Sequence, residues 1–175
     1  MPGAVFLEGD QVNLRTIEEE DIEFLRNGLN NPEIRKFLTT RRPVNLEQEK
    51  DFFENVISSE DGVHLAICRE EETIGITSIE EHSKDLQTAE IGLWIETDRH
   101  GNGYGSEAAR LLTDYALKEL NYHKIYARTD ERNEASRKIW EKLGFKQEGK
   151  LREQSYANGE FKDILIFGIL EHEWD

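Results

Sequence analysis

Several kinds of residue are scarce in this 175-residue sequence, and each scarcity excludes a class of protein. Cys68 is the only cysteine, so the chain cannot form an internal disulfide, and a reducing cytoplasm is the compartment that we predict. No run approaches the ~20 consecutive apolar residues that a membrane-spanning helix needs. The three prolines, Pro2, Pro32 and Pro43, do not cluster with glycine or serine into a linker. A single domain over residues 1–175 is therefore expected.

Positive charge is also scarce, because 22 Lys and Arg residues stand against 37 Asp and Glu residues, a formal net charge of −15. So acidic a surface repels phosphates, and we expect neither a nucleic-acid partner nor an anionic membrane surface. It attracts cations, which fits a polyamine or a basic protein N-terminus as substrate. The acidic residues are nevertheless spread along the whole chain, which favours solubility or adaptation to salt as their main role. The five histidines show no metal-ligand spacing, so no metal site is predicted.

The first third of the chain reads as one strand followed by two helices. Residues 11–15 (QVNLR) alternate like a short strand, and apolar residues then recur at helical spacing after a predicted N-cap at Thr16. Asn31-Pro32 should stop that first helix. Asn45 is the predicted cap of the second helix.

The remainder alternates between strands and helices. Three strands follow Gly62, with the sequences VHLAICRE, TIGITSIEE and TAEIGLWIE. A helix over Ser106–Leu120, a fifth strand HKIYARTD, a helix over Glu134–Leu143 and a hairpin that turns at Asn158-Gly159 complete the chain. This order predicts an α/β (α+β) fold with a mixed, mostly antiparallel sheet of seven strands and about four helices.

The glycine-rich sequence RHGNGYG, residues 99–105, lies between the fourth strand and the following helix. The first N–H groups of a helix have no intrahelical partner and carry partial positive charge, and glycines let a ligand approach the backbone. This arrangement indicates a phosphate site. Ser106 follows the last glycine where a P-loop has lysine, so nucleoside triphosphate hydrolysis is not predicted.

The same stretch allows a dinucleotide interpretation. Gly103, Gly105 and Ala108 satisfy the pattern G-x-G-x-x-A, and Asp130 ends the next strand, where a ribose-binding acid is expected. The spacing is long, however, and the sequence shows one βαβ unit. A nicotinamide-dependent oxidoreductase is therefore an alternative, as is a helix entry without a ligand.

A second motif favours one family over these alternatives. NEASRKIWEKLGF runs from Asn133 to Phe145, directly after the fifth strand. Together with HGNGYGSEA it resembles the ordered motifs of the GNAT family of acetyl-CoA-dependent N-acetyltransferases. LNNPEIRKFL near the start and EGKLREQSYANGEFKDILIFGILEHEW at the end resemble the branch that contains ribosomal-protein N-terminal acetyltransferases and spermidine acetyltransferases. The resemblance covers nearly the whole chain.

The resemblance implies a fold in which the fourth and fifth strands splay apart and coenzyme A enters the opening. Pantetheine is then expected to pair with the backbone of Leu93, Trp94 and Ile95, and Asn133 to hydrogen-bond the same arm. The pyrophosphate is expected on the amides of the glycine loop, which comprises His100, Gly101, Asn102, Gly103, Tyr104, Gly105 and Ser106. Acetyl-CoA is thus the expected co-substrate. Dimers are frequent in similar proteins, so a homodimer is the assembly to test.

The expected reaction is attack of an amine on a thioester. An alkyl amine with a pKa near ~10 must first lose a proton, so the reaction needs a base or a water chain. Glu90 is our candidate, because it occupies the position in the fourth strand where some family members carry a general base. An exposed strand glutamate is the alternative interpretation, and Glu96 and Asp98 are weaker options for the base.

The leaving thiolate raises a separate question, because Trp140 stands where many relatives have a proton-donating tyrosine. An indole N–H is far too weak an acid for this role, so Trp140 is expected to pack in the core. Ser136 in the same motif is the candidate donor to the sulfur, as proposed for ribosomal-protein relatives. Alternatively no acid is needed, since a thiol pKa near ~8.5 makes thiolate a tolerable leaving group.

The acceptor follows from the overall resemblance. A peptide N-terminus, such as that of a ribosomal protein, is expected first, a polyamine second and an antibiotic amine third. Trp140 in place of tyrosine also leaves open a non-catalytic acyl-CoA-binding module.

Overall fold

The computed structural model describes residues 3–175, which form one eight-stranded mixed sheet and five α-helices. The strands are β1 (Val5–Leu7), β2 (Asn13–Thr16), β3 (Gly62–Arg69), β4 (Glu72–Ser83), β5 (Thr88–Ile95), β6 (Lys124–Asp130), β7 (Lys146–Ala157) and β8 (Glu160–Leu170). The helices are α1 (Ile22–Asn30), α2 (Pro32–Arg35), α3 (Leu46–Phe52), α4 (Tyr104–Lys118) and α5 (Glu134–Lys142). The predicted α/β class and mixed sheet are confirmed.

Two short elements were not predicted. β1 is a three-residue edge strand that pairs antiparallel with β2, and it is too short to show an alternating pattern. α2 is a single turn, in which Pro32 takes the first position and the Asn31 side chain accepts the Glu33 N–H at 2.9 Å. The residues that stop α1 therefore also start α2.

Capping and turn signals located most other boundaries. Asn45 caps α3, because its Oδ1 accepts the Gln48 N–H at 3.0 Å while Gln48 Oε1 accepts the Asn45 N–H at 2.9 Å. Asn158 and Gly159 have φ values of 54° and 81°, as the two-residue turn of the β7–β8 hairpin requires. The predicted cap at Thr16 is wrong, since Thr16 ends β2 and the first helical turn begins later.

The strand order is β1-β2-β3-β4-β5-β6-β8-β7, and every neighbouring pair is antiparallel except β5 and β6. β5 pairs with β4 along its whole length, but its pairing with β6 joins residues 88–90 to residues 124–126 and then ends. Beyond Glu90 the two strands diverge, and β6 continues beside β8 as far as Asp130. The predicted splay is confirmed, with β5 and β6 as the fourth and fifth strands of the prediction.

The helices cover the two faces of the sheet. α4 packs on one face, where its Ala109, Leu112 and Ala116 join a core that includes Ile91 and Ile95 of β5. α1 and α3 lie on the opposite face, where a smaller cluster contains Leu25, Ala66 and Cys68, with Trp94 packed against it. Because side chains alternate along β5, one face of this strand packs against α4 and the other faces α1 and α3. No helix within residues 3–175 is long and apolar enough to cross a membrane.

Candidate active site

The gap between β5 and β6 forms a cleft of about 1120 Å³. It is lined by these residues from the sequence prediction: Glu90, Leu93, Trp94, Ile95, His100, Gly101, Gly103, Tyr104, Gly105, Ser106, Asn133 and Ser136. Asn102 lies outside the lining, and its side-chain amide donates to Arg99 O and His100 O, each at 3.1 Å. Asn102 therefore closes the glycine loop through its side chain.

The glycine loop leaves space and unpaired amides at the start of α4. Gly101 and Gly103 have φ values of 79° and 85°, which favour glycine, and nothing lies within 4 Å of a Cβ added at Gly101. Gly103 is the N-cap, so α4 begins two residues before the predicted Ser106, and the N–H groups of residues 104–106 have no upstream carbonyl. These features fit a bound diphosphate.

Gly105 has a different role within the same loop. A Cβ at this position would lie 2.9 Å from Ile139 Cδ1 and 3.5 Å from Leu93 Cδ1. The absence of a side chain therefore lets the first turn of α4 approach α5 and β5 closely, while its backbone N–H remains at the cleft.

The side chains of His100 and Tyr104 shape the loop. His100 Nε2 lies 2.9 Å from Ile95 O, and the His100 N–H donates to Thr97 O at 3.3 Å, so the amides without a partner begin at Gly101. Tyr104 is buried, and its hydroxyl accepts a hydrogen bond from the Arg69 guanidinium, which also lies over its ring. Tyr104 therefore offers its backbone N–H to the cleft.

Basic side chains around the cleft were missed in the sequence analysis. Lys138 and Lys142 lie four residues apart on α5, and Arg99 directly precedes the glycine loop. Lys138 pairs with Glu134 at 2.8 Å and Arg99 with Glu72 at 2.7 Å, whereas Lys142 forms no ion pair within the described residues. The i, i+4 spacing of the lysines could have revealed this basic face of α5.

Asn133 begins α5 and uses one end of its side chain as the cap. Its Oδ1 accepts the Ser136 N–H at 3.1 Å, and its backbone N–H donates to Asp130 O at 2.8 Å. Its Nδ2 is the group that remains for the cleft. The contact with pantetheine stays a prediction, and Nδ2 is the Asn133 atom that can donate to it.

Ser136 lies in a chain of hydrogen bonds one turn into α5. Trp140 Nε1–H donates to Ser136 Oγ at 3.1 Å, and Ser136 Oγ lies 3.2 Å from Thr129 Oγ1. Trp140 is 2% exposed and packs against Phe145, which confirms its predicted place in the core. Its hydrogen bond to Ser136 was not expected from the sequence. Since Trp140 is the donor, Ser136 keeps its own O–H for Thr129 or for an atom in the cleft.

Glu90 lies where β5 and β6 part. Its Oε2 lies 3.3 Å from His82 Nε2, and Glu80 is its cross-strand neighbour on β4. Burial raises the pKa of Glu90 above its ordinary 4.5, Arg128 and His82 oppose this shift, and Glu80 adds to it. A carboxylate with a raised pKa is a better proton acceptor near neutral pH.

Three other acids considered from the sequence are less suited to the reaction. Asp130 is 3% exposed, and its carboxylate accepts hydrogen bonds from Arg132 Nη2 at 2.6 Å and Ser155 Oγ at 2.8 Å. Burial raises the pKa of Asp130, but these hydrogen bonds outweigh it and leave the pKa below the ordinary 3.8. The Asp130 carboxylate is thus already hydrogen-bonded within the protein, which disfavours the ribose-binding role that a dinucleotide site would require. Glu96 and Asp98 do not line the cleft.

A second cavity of about 490 Å³ adjoins the cleft on the α1–α3 side of the sheet. Gly92, Leu93 and Trp94 line both cavities. A Cβ added at Gly92 would meet one atom within 4 Å, Ser78 Oγ at 3.8 Å. Gly92 therefore places no side chain where the two cavities share their lining.

The splayed strands, the amide-rich loop and the two adjoining cavities fit an acyltransferase with a cleft for its acyl donor. Residues 11–146 match the family model described as an acetyltransferase (GNAT) domain. The chain belongs to the GNAT family. It is accordingly an N-acetyltransferase, and acetyl-CoA is its acyl donor.

Several similar proteins match between two thirds and nearly the whole of the chain. Spermidine N(1)-acetyltransferase of Escherichia coli strain K12 is 26% identical over 163 residues, covering 93% of this chain and 88% of that protein. A Bacillus subtilis protein provisionally named a ribosomal N-acetyltransferase is 32% identical over 114 residues, 65% of this chain and 62% of that protein. The crystal structure of Vibrio cholerae spermidine N-acetyltransferase with CoA and spermine has a TM-score of 0.88 at 24% identity, covering 94% of this chain and 98% of that one. This last likeness shows the shared fold.

Proposed function

We propose that this enzyme transfers the acetyl group of acetyl-CoA to a primary amine of a polyamine. The observation that carries the proposal is the second cavity, which adjoins the donor cleft at Gly92 and has the carboxylates of Glu49 and Glu80 in its lining. A polyamine carries several ammonium groups, so its charge complements this lining. Similarity to spermidine acetyltransferases over 93% of the chain supports the same acceptor, which ranked second in the sequence analysis.

Acetyl-CoA is held, in this proposal, along β5 and α4. Residues 93–95 of β5 have no strand partner on the β6 side, so their backbone is available to pantetheine. Asn133 Nδ2 donates to the same arm, and the amides of residues 101–106 bind the pyrophosphate. Lys138 and Lys142 supply the positive charge that the phosphates require. When bound, acetyl-CoA supplies an activated acetyl group as a thioester.

The side chains of Glu90 and Ser136 then assist the transfer. Glu90 accepts a proton from the ammonium of the acceptor, and this leaves a neutral amine that can attack. Attack then forms the C–N bond and breaks the C–S bond, and the second proton that the nitrogen loses neutralises the departing thiolate. Ser136 Oγ–H donates a hydrogen bond to that sulfur as it leaves. The hydrogen bond from Trp140 Nε1 holds Ser136 Oγ in place, and Thr129 Oγ1 lies on its other side at 3.2 Å. Trp140 thus acts as a positioning residue.

A panel of acceptors tests the proposed function. Thiol release from acetyl-CoA should be fastest with spermidine, slower with a peptide that has a free N-terminus, and slower with an aminoglycoside. Mass spectrometry of the product should locate the acetyl group on an amine nitrogen. Thiol release with the peptide alone would reject the polyamine. Stabilisation by CoA without thiol release from any amine would instead support an acyl-CoA-binding module.

A peptide N-terminus remains the second candidate because of the surface at one end of the cleft. Tyr156 lines the cleft and is exposed, and its ring lies 4.8 Å from that of Phe161, which is also exposed. Exposed aromatic rings beside an active site suit the side chains of a peptide. The similarity to the Bacillus subtilis protein supports the same candidate.

A further inference from the structure

Glu49 on α3 is a buried carboxylate without a partner among the described residues, 3–175. It is 2% exposed, less than any other charged residue that the structure describes, and it lines the second cavity. Asp21 and Asp130, the other buried acids, accept hydrogen bonds from Thr73 and Arg132. The Glu49 carboxylate forms neither a hydrogen bond nor an ion pair with any residue from 3 to 175, and burial alone raises its pKa. A carboxylate held in this way is costly unless a ligand supplies the missing partner.

The rest of the second cavity offers no positive charge to Glu49. Its titratable lining residues are Glu49 from α3, His64 from β3 and Glu80 from β4, and no Lys or Arg of the part of the chain that the structure describes lines it. Burial lowers the pKa of His64 from 6.5, although Glu80 opposes this shift. His64 is therefore mainly neutral at pH 7, and the cavity is negative when its carboxylates are ionised.

The apolar part of the lining completes the recognition chemistry. Leu25 and Leu29 of α1 and Ile57 beyond α3 line the same cavity as Glu49. Such walls suit a short methylene chain, while the carboxylate suits an ammonium at its end. The cavity shares the lining residues Gly92, Leu93 and Trp94 with the donor cleft, so the two sites lie side by side.

We propose that Glu49 is a specificity-determining residue that binds the second, non-reacting ammonium group of a diamine or polyamine acceptor. This inference rests on the proposed function, since it assumes that the first amine of the same molecule is acetylated in the cleft. An acceptor with a single amine gains nothing from Glu49. Selectivity for diamines over monoamines of equal length is the direct consequence.

Two matched amines and two matched variants test this role. Glu49→Gln keeps the shape of the side chain and removes its charge, and Glu47→Gln makes the same change on α3 at a side chain that is 81% exposed. We expect Glu49→Gln to lower kcat/KM for 1,4-diaminobutane by about ten- to a hundredfold, the effect of losing one charged hydrogen bond, mainly through KM. Its kcat/KM for butylamine should not change, and Glu47→Gln should match the wild type with both amines.

The wild-type enzyme supplies an independent measurement, because it should prefer 1,4-diaminobutane to butylamine by a similar factor. Equal loss of activity with both amines in Glu49→Gln would mean that Glu49 supports the fold, and would overturn the inference. Equal rates with both amines in the wild type would overturn it as well.

Binding without turnover separates this inference from the proposed function. Spermidine should raise the melting temperature of the wild type and of Glu47→Gln, and raise that of Glu49→Gln much less. If this pattern appears while no amine is acetylated, the acceptor site stands and the proposed function fails. If spermidine is acetylated equally well by the wild type and Glu49→Gln, the proposed function stands and the role of Glu49 is refuted.

Discussion

Replacing Glu90 by Gln removes the proposed proton acceptor and keeps the size of the side chain. At pH 7 about one alkyl amine in a thousand is unprotonated, given a pKa near ~10, and a variant without a base depends on that fraction. The wild type uses the abundant ammonium form and needs Glu90 to be ionised. Its kcat/KM should therefore rise as the pH passes the raised pKa of Glu90, then stay level towards the pKa of the amine.

The variant should behave differently over the same range. Its kcat/KM should increase by about tenfold per pH unit up to pH ~10, because each unit multiplies the free amine by that factor. The loss relative to the wild type should be about 10²- to 10⁴-fold at pH 7 and should shrink steadily at higher pH.

Thiol release with subsaturating spermidine, measured from pH 6 to pH 10, gives both profiles. Glu96→Gln is the matched control, because burial also raises the pKa of Glu96 but the residue does not line the cleft. Its profile should follow that of the wild type. Parallel profiles for the wild type and Glu90→Gln, with a constant ratio at every pH, would refute the assignment of Glu90 as the base.

Three further predictions concern substitutions at residues other than Glu90. Ser136→Ala should lower kcat by about tenfold or more with little change in KM for acetyl-CoA. Trp140→Phe keeps an aromatic ring but loses the N–H donor to Ser136, so it should reproduce part of that loss in kcat. A change in KM alone for either variant would contradict the role of the Trp140–Ser136 hydrogen bond. Gly28→Ala should destabilise the protein by about 1–3 kcal/mol, because the new Cβ would lie 2.7 Å from Trp94 Cζ2, and thermal denaturation should show a lower melting temperature. Glu49→Gln without ligand should have a higher melting temperature than the wild type at pH 7. Burial raises the pKa of Glu49 in the folded state, so the stability contributed by its protonation is complete below about pH 4.5 and is lost as the pH rises through the folded pKa. The difference in melting temperature between the two proteins should therefore vanish near pH 4.

Local sequence signals were sufficient for most of the fold. Asn45 and the Asn158-Gly159 turn act through hydrogen bonds and φ values within a few residues, so the sequence alone reveals them. β1 and α2 were missed because three or four residues are too few for a period to appear. β1 is stabilised by its pairing with β2, which no local pattern records.

The candidate site was predictable where backbone geometry defines it. The glycine loop and the start of α5 were located from motifs, whereas the second cavity depends on how α1 and α3 pack on the sheet. Glu49 illustrates the difference. In LEQEKDFF it is surrounded by charged residues that belong on a surface, and its burial results from contacts that are distant in the sequence. The Trp140–Ser136 hydrogen bond was also missed, although its i, i+4 spacing was present in the sequence.

The divergence of β5 from β6 also has a consequence for how long the protein survives. An open sheet has unpaired backbone N–H and C=O groups along its two edge strands. In this sheet the backbone of residues 91–95 of β5 also lacks a partner strand on the β6 side, although β5 is an inner strand. A ligand that binds there acts as a missing strand, and at a hundredfold excess over its Kd it adds about 2.7 kcal/mol to the stability of the native state. Resistance to proteolysis should consequently increase with the concentration of acetyl-CoA, so that enzyme without bound acetyl-CoA is degraded faster than enzyme with it.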